Sequence, residues 1–459
     1  MQKSKIYFVI ARSTAKQSGE AILAEDCFAT SWLAMMRGPF NALNLGLSFW
    51  ILIFGFWIGV SYAGDKGLSL NLNELIAEAR NKNPEILAAK SRWEAAKARV
   101  PQAKAWEDPK VGISLEKIPK GTLKLGRTMA EDRMLSVSQA FPLSGKLSLK
   151  GKIAVVESQI SASEYKDREL GVINQVKKAY YSLFLNYKET ELKENSVQLL
   201  EDSSRVAEVK YGLGKLGQGE VLKLHLEIAR MNNEIANLKE ERKVRETELN
   251  TLLNRPAQSP LGMFVLEEDT LFKADIEAFY QLAIKNQPEL STFAYAIEKS
   301  KYAKSLAKRS VFPDLMAEIG LRGITAGGIG PWDLAMAVSL PFWFWTKQRY
   351  EIKEAVFNLE EAKSAYEAMR NKMFAQVRDI VSRIEIAKNK MNLSKTNLMP
   401  ILESSISSSL AAFRAGKYDF MMLIDNERMY VEAKLDYYRA LAEYQINLAD
   451  LERATGGEI

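Results

Sequence analysis

The sequence has 459 residues, of which 47% are hydrophobic and 26% are charged, and this balance excludes an intrinsically disordered chain. The formal net charge is +6, from 63 basic and 57 acidic residues mixed along the chain, so no nucleic-acid partner is expected. A single cysteine, Cys27, and a single histidine, His225, exclude a disulfide framework, a Cys/His zinc site and a Cys–His catalytic pair.

An uncharged stretch near the N-terminus predicts export. Residues 42–63 carry no charge, follow Arg37 and end with the small residues Ser61 and Ala63 at the positions that a signal peptidase reads. We therefore assign residues 1–63 to an N-terminal extension and signal peptide; the alternative is an uncleaved membrane anchor. Removal of this segment takes away the only cysteine, which suits an oxidising compartment.

The sequence after residue 63 contains an internal repeat. Three short motifs recur in the same order, at offsets of 204, 199 and 202 residues: NKNPEI at 81–86 and KNQPEL at 285–290, AFPL at 140–143 and SLPF at 339–342, YGLGK at 211–215 and FRAGK at 413–417. The shared order and nearly constant offset indicate a duplication. The two repeats are predicted at 64–254 and 275–455, joined by a linker or equatorial region at 255–274.

Each repeat is predicted to contain a helical stretch, two strands and two long helices. In the first repeat these elements are expected at 71–106, 110–118, 133–141, 144–210 and 219–253. In the second they are expected at 275–310, 314–323, 333–341, 345–412 and 419–453. The fold class is therefore mainly α with a small β part.

The four predicted strands share one pattern, in which apolar residues alternate with small or polar ones. In the first strand, Val111, Ile113 and Leu115 alternate with glycine and serine. Each strand is long enough to cross a membrane when tilted and has one oily face, as a transmembrane barrel requires. The alternative for any single strand is a half-buried hairpin of a soluble α+β domain.

Prolines and aromatic residues around the strands favour the membrane interpretation. Proline bounds each strand pair, at positions that mark abrupt changes between helix and strand: Pro109, Pro142, Pro313 and Pro341. Aromatic residues begin and follow the last strand, in the manner of an interfacial girdle: Trp332, Trp343, Phe344 and Trp345. The same aromatic cluster could equally plug a core.

The long helices carry apolar residues at steps of three and four, as at Val176, Tyr180 and Leu183, which predicts coiled-coil packing. A helix of about 65 residues is roughly 100 Å long, too long for a compact domain. Four strands cannot close a barrel, because single-chain barrels need about eight or more and lipid tolerates no open sheet edge. The chain is therefore expected to join an oligomer in which the helices extend the barrel as an exit duct.

The sequence has repeated NPE and QPE helix starts, the strand ends QAFP (139–142) and SLP (339–341), an AYY helix (179–181) and two Gly-Lys turns. Together these motifs resemble those of TolC-type outer-membrane efflux proteins. The resemblance covers about residues 68–455. It implies a homotrimer in outer-membrane lipid, with a twelve-stranded β-barrel and a twelve-helix periplasmic tunnel. It also implies docking to a periplasmic adaptor (membrane fusion) protein and an inner-membrane pump. The stretch FPLSGK (141–146) is closer to the branch that partners RND-type heavy-metal pumps.

The resemblance implies a tunnel-entrance gate built from helix-end contacts and acidic rings. Asp425 matches one ring-forming aspartate, whereas the other expected acidic position is Met422. Phe413 stands where a hydrogen-bonding tyrosine is usual, so this latch is expected to be altered. The alternative for Asp425 is a solvated carboxylate at a helix start. The pair Met421–Met422 could offer thioethers to a copper-like ion, although packing is the commoner role.

The two Gly-Lys turns match the adaptor-docking tips of the family. Gly214 and Lys215 belong to the first turn, and Gly416 and Lys417 to the second. The lysines are either adaptor contacts or surface charge.

Two other classes of function are considered. A periplasmic coiled-coil adaptor or scaffold, held by an uncleaved N-terminal anchor, is the alternative, and the four alternating strands with their prolines favour the duct over it. An enzyme is disfavoured because the sequence contains no G-x-S-x-G elbow, P-loop or G-x-G-x-x-G fingerprint and no convergent catalytic set. No catalytic residue, cofactor or resident metal is therefore expected.

Overall fold

Helices form most of the chain, and two small sheets supply the β part. The computed structural model describes residues 69–115, 133–264, 275–323, 330–415 and 420–457. The first repeat contains β1 (Ser69–Leu70), α1 (Leu72–Lys82), α2 (Pro84–Lys104), β2 (Lys110–Leu115), β3 (Arg133–Phe141), α3 (Lys146–Gly212) and α4 (Gln218–Leu252). The predicted linker contains β4 (Met263–Phe264), and the second repeat contains α5 (Ile276–Asn286), α6 (Pro288–Arg309), β5 (Asp314–Arg322), β6 (Trp332–Ser339), α7 (Gln348–Leu393), a π-helical segment (Ser394–Leu398), α8 (Met399–Arg414) and α9 (Phe420–Thr455).

The mainly helical fold with a small β part, predicted from the sequence, is confirmed. The predicted signal peptide and N-terminal extension at 1–63 lie outside the described residues, as do residues 265–274 of the predicted linker. No helix in the described ranges is long and apolar enough to cross a membrane.

The helical stretch predicted at 71–106 is divided at Asn83 into α1 and α2. The Asn83 side-chain oxygen accepts hydrogen bonds from the N–H groups of Glu85 (2.9 Å) and Ile86 (3.3 Å), so it caps α2, and the next residue is a proline at the first helical position. The Asn83 amide also donates to the Leu252 carbonyl at 2.8 Å. Gln287 occupies the equivalent position between α5 and α6. The repeated NPE and QPE motifs thus end one helix and begin the next.

Parallel pairing of β1 with β4 joins the beginning of the first repeat to the segment between the repeats. Ser69 pairs with Met263 and Leu70 pairs with Phe264. The Leu70 side chain is buried, and its carbonyl accepts a hydrogen bond from the Tyr180 hydroxyl at 3.3 Å.

The long helices pack around three groups of buried apolar side chains. One group joins α1, α2 and the C-terminal end of α4 to the middle of α3, and includes Val176 and Leu183. The second is its counterpart in the second repeat, and includes Met373 and Val377 of α7. The third, the tip cluster, lies where the helical hairpins turn: it comprises Leu200, Ala207, Leu224, Phe413, Leu423 and Ile424.

A π-helical segment interrupts the long helix predicted at 345–412. The N–H of Met399 bonds to the carbonyl of Ser394, five residues earlier, rather than four. Pro400 follows directly and has no N–H to donate to the carbonyl of Thr396, so the regular α-helical ladder cannot continue through this point. The structure therefore has α7 and α8 with a widened turn between them, where the sequence periodicity predicts one helix.

The larger sheet has the strand order β2-β3-β5-β6, with every neighbouring pair antiparallel. The two repeats contribute two strands each, and β3 pairs with β5 across the repeat boundary. Among the described residues the sheet does not close on itself, and β2 and β6 are its edges.

Candidate functional site

One face of the larger sheet is apolar and exposed. Val111, Val137, Ile319 and Leu334 are paired in register across the four strands, and paired residues share a face of the sheet. Their exposed fractions run from 46% to 70%. A parallel row is formed by Ile113, Leu135, Leu321 and Trp332. An apolar face of this extent marks a surface that contacts lipid or protein.

The opposite face of the sheet is small and polar. Gly112, Ser136, Gly320 and Asp333 form one paired row across the strands. Ser136 is buried, and Asp333 forms an ion pair with Arg322 of the adjacent strand. The sheet therefore has one apolar face and one small, polar face, as predicted by the alternation of apolar with small or polar residues along each strand.

The four aromatic residues of the predicted girdle lie at both ends of β6. Trp332 is the first residue of the strand, whereas Trp343, Phe344 and Trp345 follow its other end. Their exposed fractions lie between 48% and 69%, which does not fit a core plug in the single chain. Phe344 and Trp345 contact each other edge to face, with ring centroids 4.8 Å apart.

The four predicted prolines stand where strands meet helical segments. Pro109 and Pro313 directly precede β2 and β5, Pro142 directly follows β3, and Pro341 follows β6. Because proline restricts the residue before it and lacks an N–H, it suits the points where the hydrogen-bonding pattern changes.

A polar contact beside these prolines fixes the sheet to the helices. The ammonium group of Lys146, at the start of α3, lies 2.9 Å from both carboxylate oxygens of Asp314, the first residue of β5. It also donates to the Phe312 carbonyl at 2.7 Å, while the Leu143 N–H donates to Asp314 at 3.0 Å. Gly145, directly before Lys146, has φ of 71°, a conformation that favours glycine. The contact joins the two repeats at the base of the sheet.

The structure separates Phe413 from the other two gate candidates. Phe413 is 2% exposed and lies in the tip cluster. The Lys210 ammonium group lies 4.0 Å from the centre of its ring and also donates to its backbone carbonyl. Asp425 and Met422 lie on the exposed side of α9. Phe413 is therefore a packing residue whose carbonyl, rather than a tyrosine hydroxyl, forms the polar link.

Several polar contacts join neighbouring helices near the tip, and three of them each connect a different pair. They connect α3 to α8, α8 to α9, and α4 to α9: Lys210 to the Phe413 carbonyl, Tyr430 to Glu403 (2.7 Å) and Arg428 to Glu227 (2.8 Å). Burial and the hydrogen bond to Glu403 raise the pKa of Tyr430. The hydrogen bond to Glu227 raises the pKa of Arg428, so both links keep their charge state around neutral pH.

The first predicted docking tip is a tight turn between α3 and α4. Gly214 has φ of 68°, and the N–H of Lys215 donates to the Lys210 carbonyl at 2.9 Å, which closes the end of α3. The Lys215 side chain is exposed. Gly416 and Lys417 of the second predicted tip lie outside the described residues.

Sequence reasoning missed a buried carboxyl group near the tip. Glu427 of α9 is 4% exposed and accepts a hydrogen bond from the Ser196 hydroxyl of α3. Burial raises the pKa of Glu427, Glu227 raises it further, and Ser196 and Arg428 oppose this effect. The available signal was spacing: Glu427 follows the buried Leu423 by four residues and so falls on the apolar side of α9.

Within the described ranges, no group of three or more His, Cys, Asp or Glu side chains is arranged to hold a metal ion. The described residues instead form a sheet with an exposed apolar face and two open edges, continued by very long antiparallel helices. Such an architecture defines a subunit of an oligomeric membrane channel. The family model described as outer membrane efflux protein matches residues 75–255 and 279–457, and the chain belongs to this family. Its members are the outer-membrane channels of tripartite efflux systems.

Similar proteins agree with this assignment. The cobalt-zinc-cadmium resistance protein CzcC of Cupriavidus metallidurans is 17% identical over 387 residues, which cover 84% of this chain and 90% of that protein. The outer membrane protein VceC of Vibrio cholerae has a TM-score of 0.71 at 15% identity, covering 84% of this chain and 96% of that one. CusC has a TM-score of 0.73 at 16% identity, covering 86% and 95%. The resemblance to TolC-type proteins, and the fold that it implies, are confirmed.

Proposed function

We propose that three copies of this chain form a closed outer-membrane barrel continued by a periplasmic helical duct, the exit channel of a tripartite efflux system. The observation that carries the proposal is the exposed apolar sheet face with open edges at β2 and β6. Open edges are not tolerated in lipid, because backbone N–H and C=O groups there would lack partners. Three sheets supply twelve strands, which is within the range of transmembrane barrels.

The strand directions support closure between copies. All neighbouring strands are antiparallel in the order β2-β3-β5-β6, so β6 runs opposite to β2. When β6 of one copy lies beside β2 of the next, the antiparallel pattern continues around the ring. The oily face then points to lipid and the small, polar face lines the lumen.

The aromatic residues support an outer-membrane location. The strand β6 has 8 residues and is about 26 Å long at about 3.3 Å per residue, so at a tilt of about 40° it spans about 20 Å of the apolar band of about 25 Å in a transmembrane barrel. Trp332 at one end and Trp343, Phe344 and Trp345 at the other fit the two membrane–water interfaces. The long helices α3 and α7 start at the end of the sheet where Trp343, Phe344 and Trp345 lie, so this end faces the periplasm and the helices extend into it.

The helical tips are the proposed docking site for an adaptor protein and, through it, an RND-type inner-membrane pump. The first tip presents Gly214 and Lys215 on an exposed turn, and Gly416 and Lys417 are proposed for the second by sequence equivalence. The name of CzcC, a cobalt-zinc-cadmium resistance protein, supports heavy-metal cations as the cargo. The duct conducts this cargo passively and performs no chemistry of its own.

Asp425 is the proposed gate residue. Its side chain is exposed on α9 near the tip, so three copies around an axis would form an acidic ring that attracts cations and is blocked by multivalent ones. Asp425→Ala is expected to raise single-channel conductance in planar bilayers and to weaken block by divalent cations. Asp202→Ala is the matched control, because Asp202 is an exposed aspartate of α3 that already pairs with Arg205. Unchanged conductance and block in Asp425→Ala would discard the gate.

Membrane fractionation tests the function as a whole. The proposal expects heat-modifiable trimers that require detergent and separate with the outer membrane. A soluble or inner-membrane monomer would favour the alternative, a periplasmic coiled-coil adaptor or scaffold anchored at its N-terminus, over the duct.

A further inference from the structure

Three side chains with metal-binding atoms share one exposed side of α9. Met422, Asp425 and Met429 are separated by three and four residues, a spacing that places them in one row along a helix, with adjacent Cβ atoms about 5–6 Å apart. Met422 is 48% exposed, Met429 is 50% exposed, and Asp425 is exposed as well. The row is therefore open to solvent in the single chain.

The opposite side of the same helix turn is buried. Leu423 and Ile424 lie in the tip cluster, and Glu427 is hydrogen-bonded to Ser196. Met421 also packs against the tip cluster. Packing thus explains one methionine of the Met421–Met422 pair, whereas Met422 and Met429 are about half exposed and belong to none of the three buried groups of the described residues.

The charges around the row leave the carboxylate accessible. Asp425 forms no hydrogen bond or ion pair with any residue in the described ranges. The cation closest along the helix is Arg428, whose guanidinium is held by Glu227 of α4 at 2.8 Å. Asp425 is therefore free to bind a cation, although Arg428 lowers the attraction.

We propose that Met422, Asp425 and Met429 form a binding site for a soft monovalent metal cation of the Cu(I) class. Two thioether sulfurs flank one carboxylate, and the long, unbranched methionine side chains can bring sulfur toward an ion beside Asp425. Thioethers favour soft cations, whereas a carboxylate alone would favour hard ones such as Mg²⁺. The selectivity of the site comes from the two sulfurs.

The proposal deepens the proposed function, because it places cargo of defined chemistry at the duct entrance. The site itself lies within one helix, so its existence does not depend on trimer formation. Three ligands on an exposed surface bind weakly, and a conduction pathway needs sites that bind cargo and also release it.

Silver(I) is a suitable probe because it is soft, monovalent and redox-stable. The full chain, purified in detergent, is titrated with Ag(I) in the presence of excess Mg²⁺, and binding is followed by calorimetry and by metal analysis after dialysis. The double variant Met422→Leu/Met429→Leu removes both sulfurs at nearly constant volume. We expect it to lose about one Ag(I) per chain, or to bind that ion at least about tenfold more weakly.

The matched control is Met421→Leu, which changes the adjacent methionine on the packed side of the helix and is expected to bind Ag(I) like the wild type. Asp425→Asn is expected to weaken binding while leaving the sulfurs in place. Equal Ag(I) binding by the wild type and the double variant, with both proteins folded as judged by circular dichroism, would overturn the proposal. Single-channel recordings on the same preparations test the duct separately: silver binding without conductance refutes the duct alone, and conductance without sulfur-dependent binding refutes the site alone.

Discussion

Replacing Phe413 by alanine tests whether the tip is held closed by packing. The ring is almost fully buried against Leu200, Leu224 and Leu423. Removing such a side chain costs about 3–5 kcal/mol through lost transfer energy and the cavity left behind, and the lost contact with the Lys210 ammonium adds about 0.5–1 kcal/mol. A change of about 4 kcal/mol raises the equilibrium for local opening roughly a thousandfold.

Hydrogen exchange measured by mass spectrometry reads this opening directly, in peptides from the end of α8 and the start of α9. The matched control is Phe357→Ala in α7, because Phe357 is exposed and also lies near a lysine, Lys353. Exchange near the tip is expected to accelerate about a thousandfold in Phe413→Ala and less than about tenfold in the control. An acceleration below tenfold in Phe413→Ala would refute the packing role.

Three further predictions concern a charge, a glycine and the base of the sheet. Burial raises the pKa of Glu427 above its ordinary 4.5. The contribution of Glu427 to tip stability is therefore fully present below about pH 4.5 and is lost as pH rises through the raised pKa. Glu427→Gln is expected to remove this contribution from the pH dependence of hydrogen exchange at the tip, and a pH profile identical to that of the wild type would contradict it. Gly456 has φ of 88°, and a Cβ on it would lie 2.5 Å from the Asn286 backbone. Gly456→Ala is therefore expected to cost more than about 1 kcal/mol and to lower the melting temperature. Gly457 has open space around it, so Gly457→Ala is expected to leave the melting temperature unchanged. Lys146→Met removes the hydrogen bonds to Asp314 and is expected to cost about 1.5–3 kcal/mol, measured as a lower melting temperature of the purified protein; an unchanged melting temperature would contradict it.

The repeated elements could be predicted because their signals are local and periodic. The alternation at Val111 and Ile113 and the steps of three and four at Val176, Tyr180 and Leu183 each follow from one face of an element being apolar. The prolines marked the strand ends for the same kind of reason, since their effect on the backbone depends only on the neighbouring residue.

The remaining features depend on contacts between distant parts of the chain. Glutamate is usually exposed, so the residue type of Glu427 does not predict its burial. The burial depends on packing against another helix, which carries Ser196. The NPE motif marks Asn83 as a helix start, but the bond of its side-chain amide to the Leu252 carbonyl depends on how a distant helix packs. Pro400 predicts an irregularity in the helix, but not whether the helix kinks, ends or widens. The structure shows a widened turn that begins at Ser394.

The two edges of the larger sheet are different surfaces, so every contact in the proposed ring joins β6 of one copy to β2 of the next. Such head-to-tail contacts mean that a chain with one faulty edge still pairs through its sound edge and enters the ring. In a cell that makes sound and faulty chains in equal amounts, random assembly leaves only about one ring in eight free of a faulty copy. A mutation at one sheet edge would therefore behave as a dominant allele, since it removes most of the function while the sound gene is expressed normally.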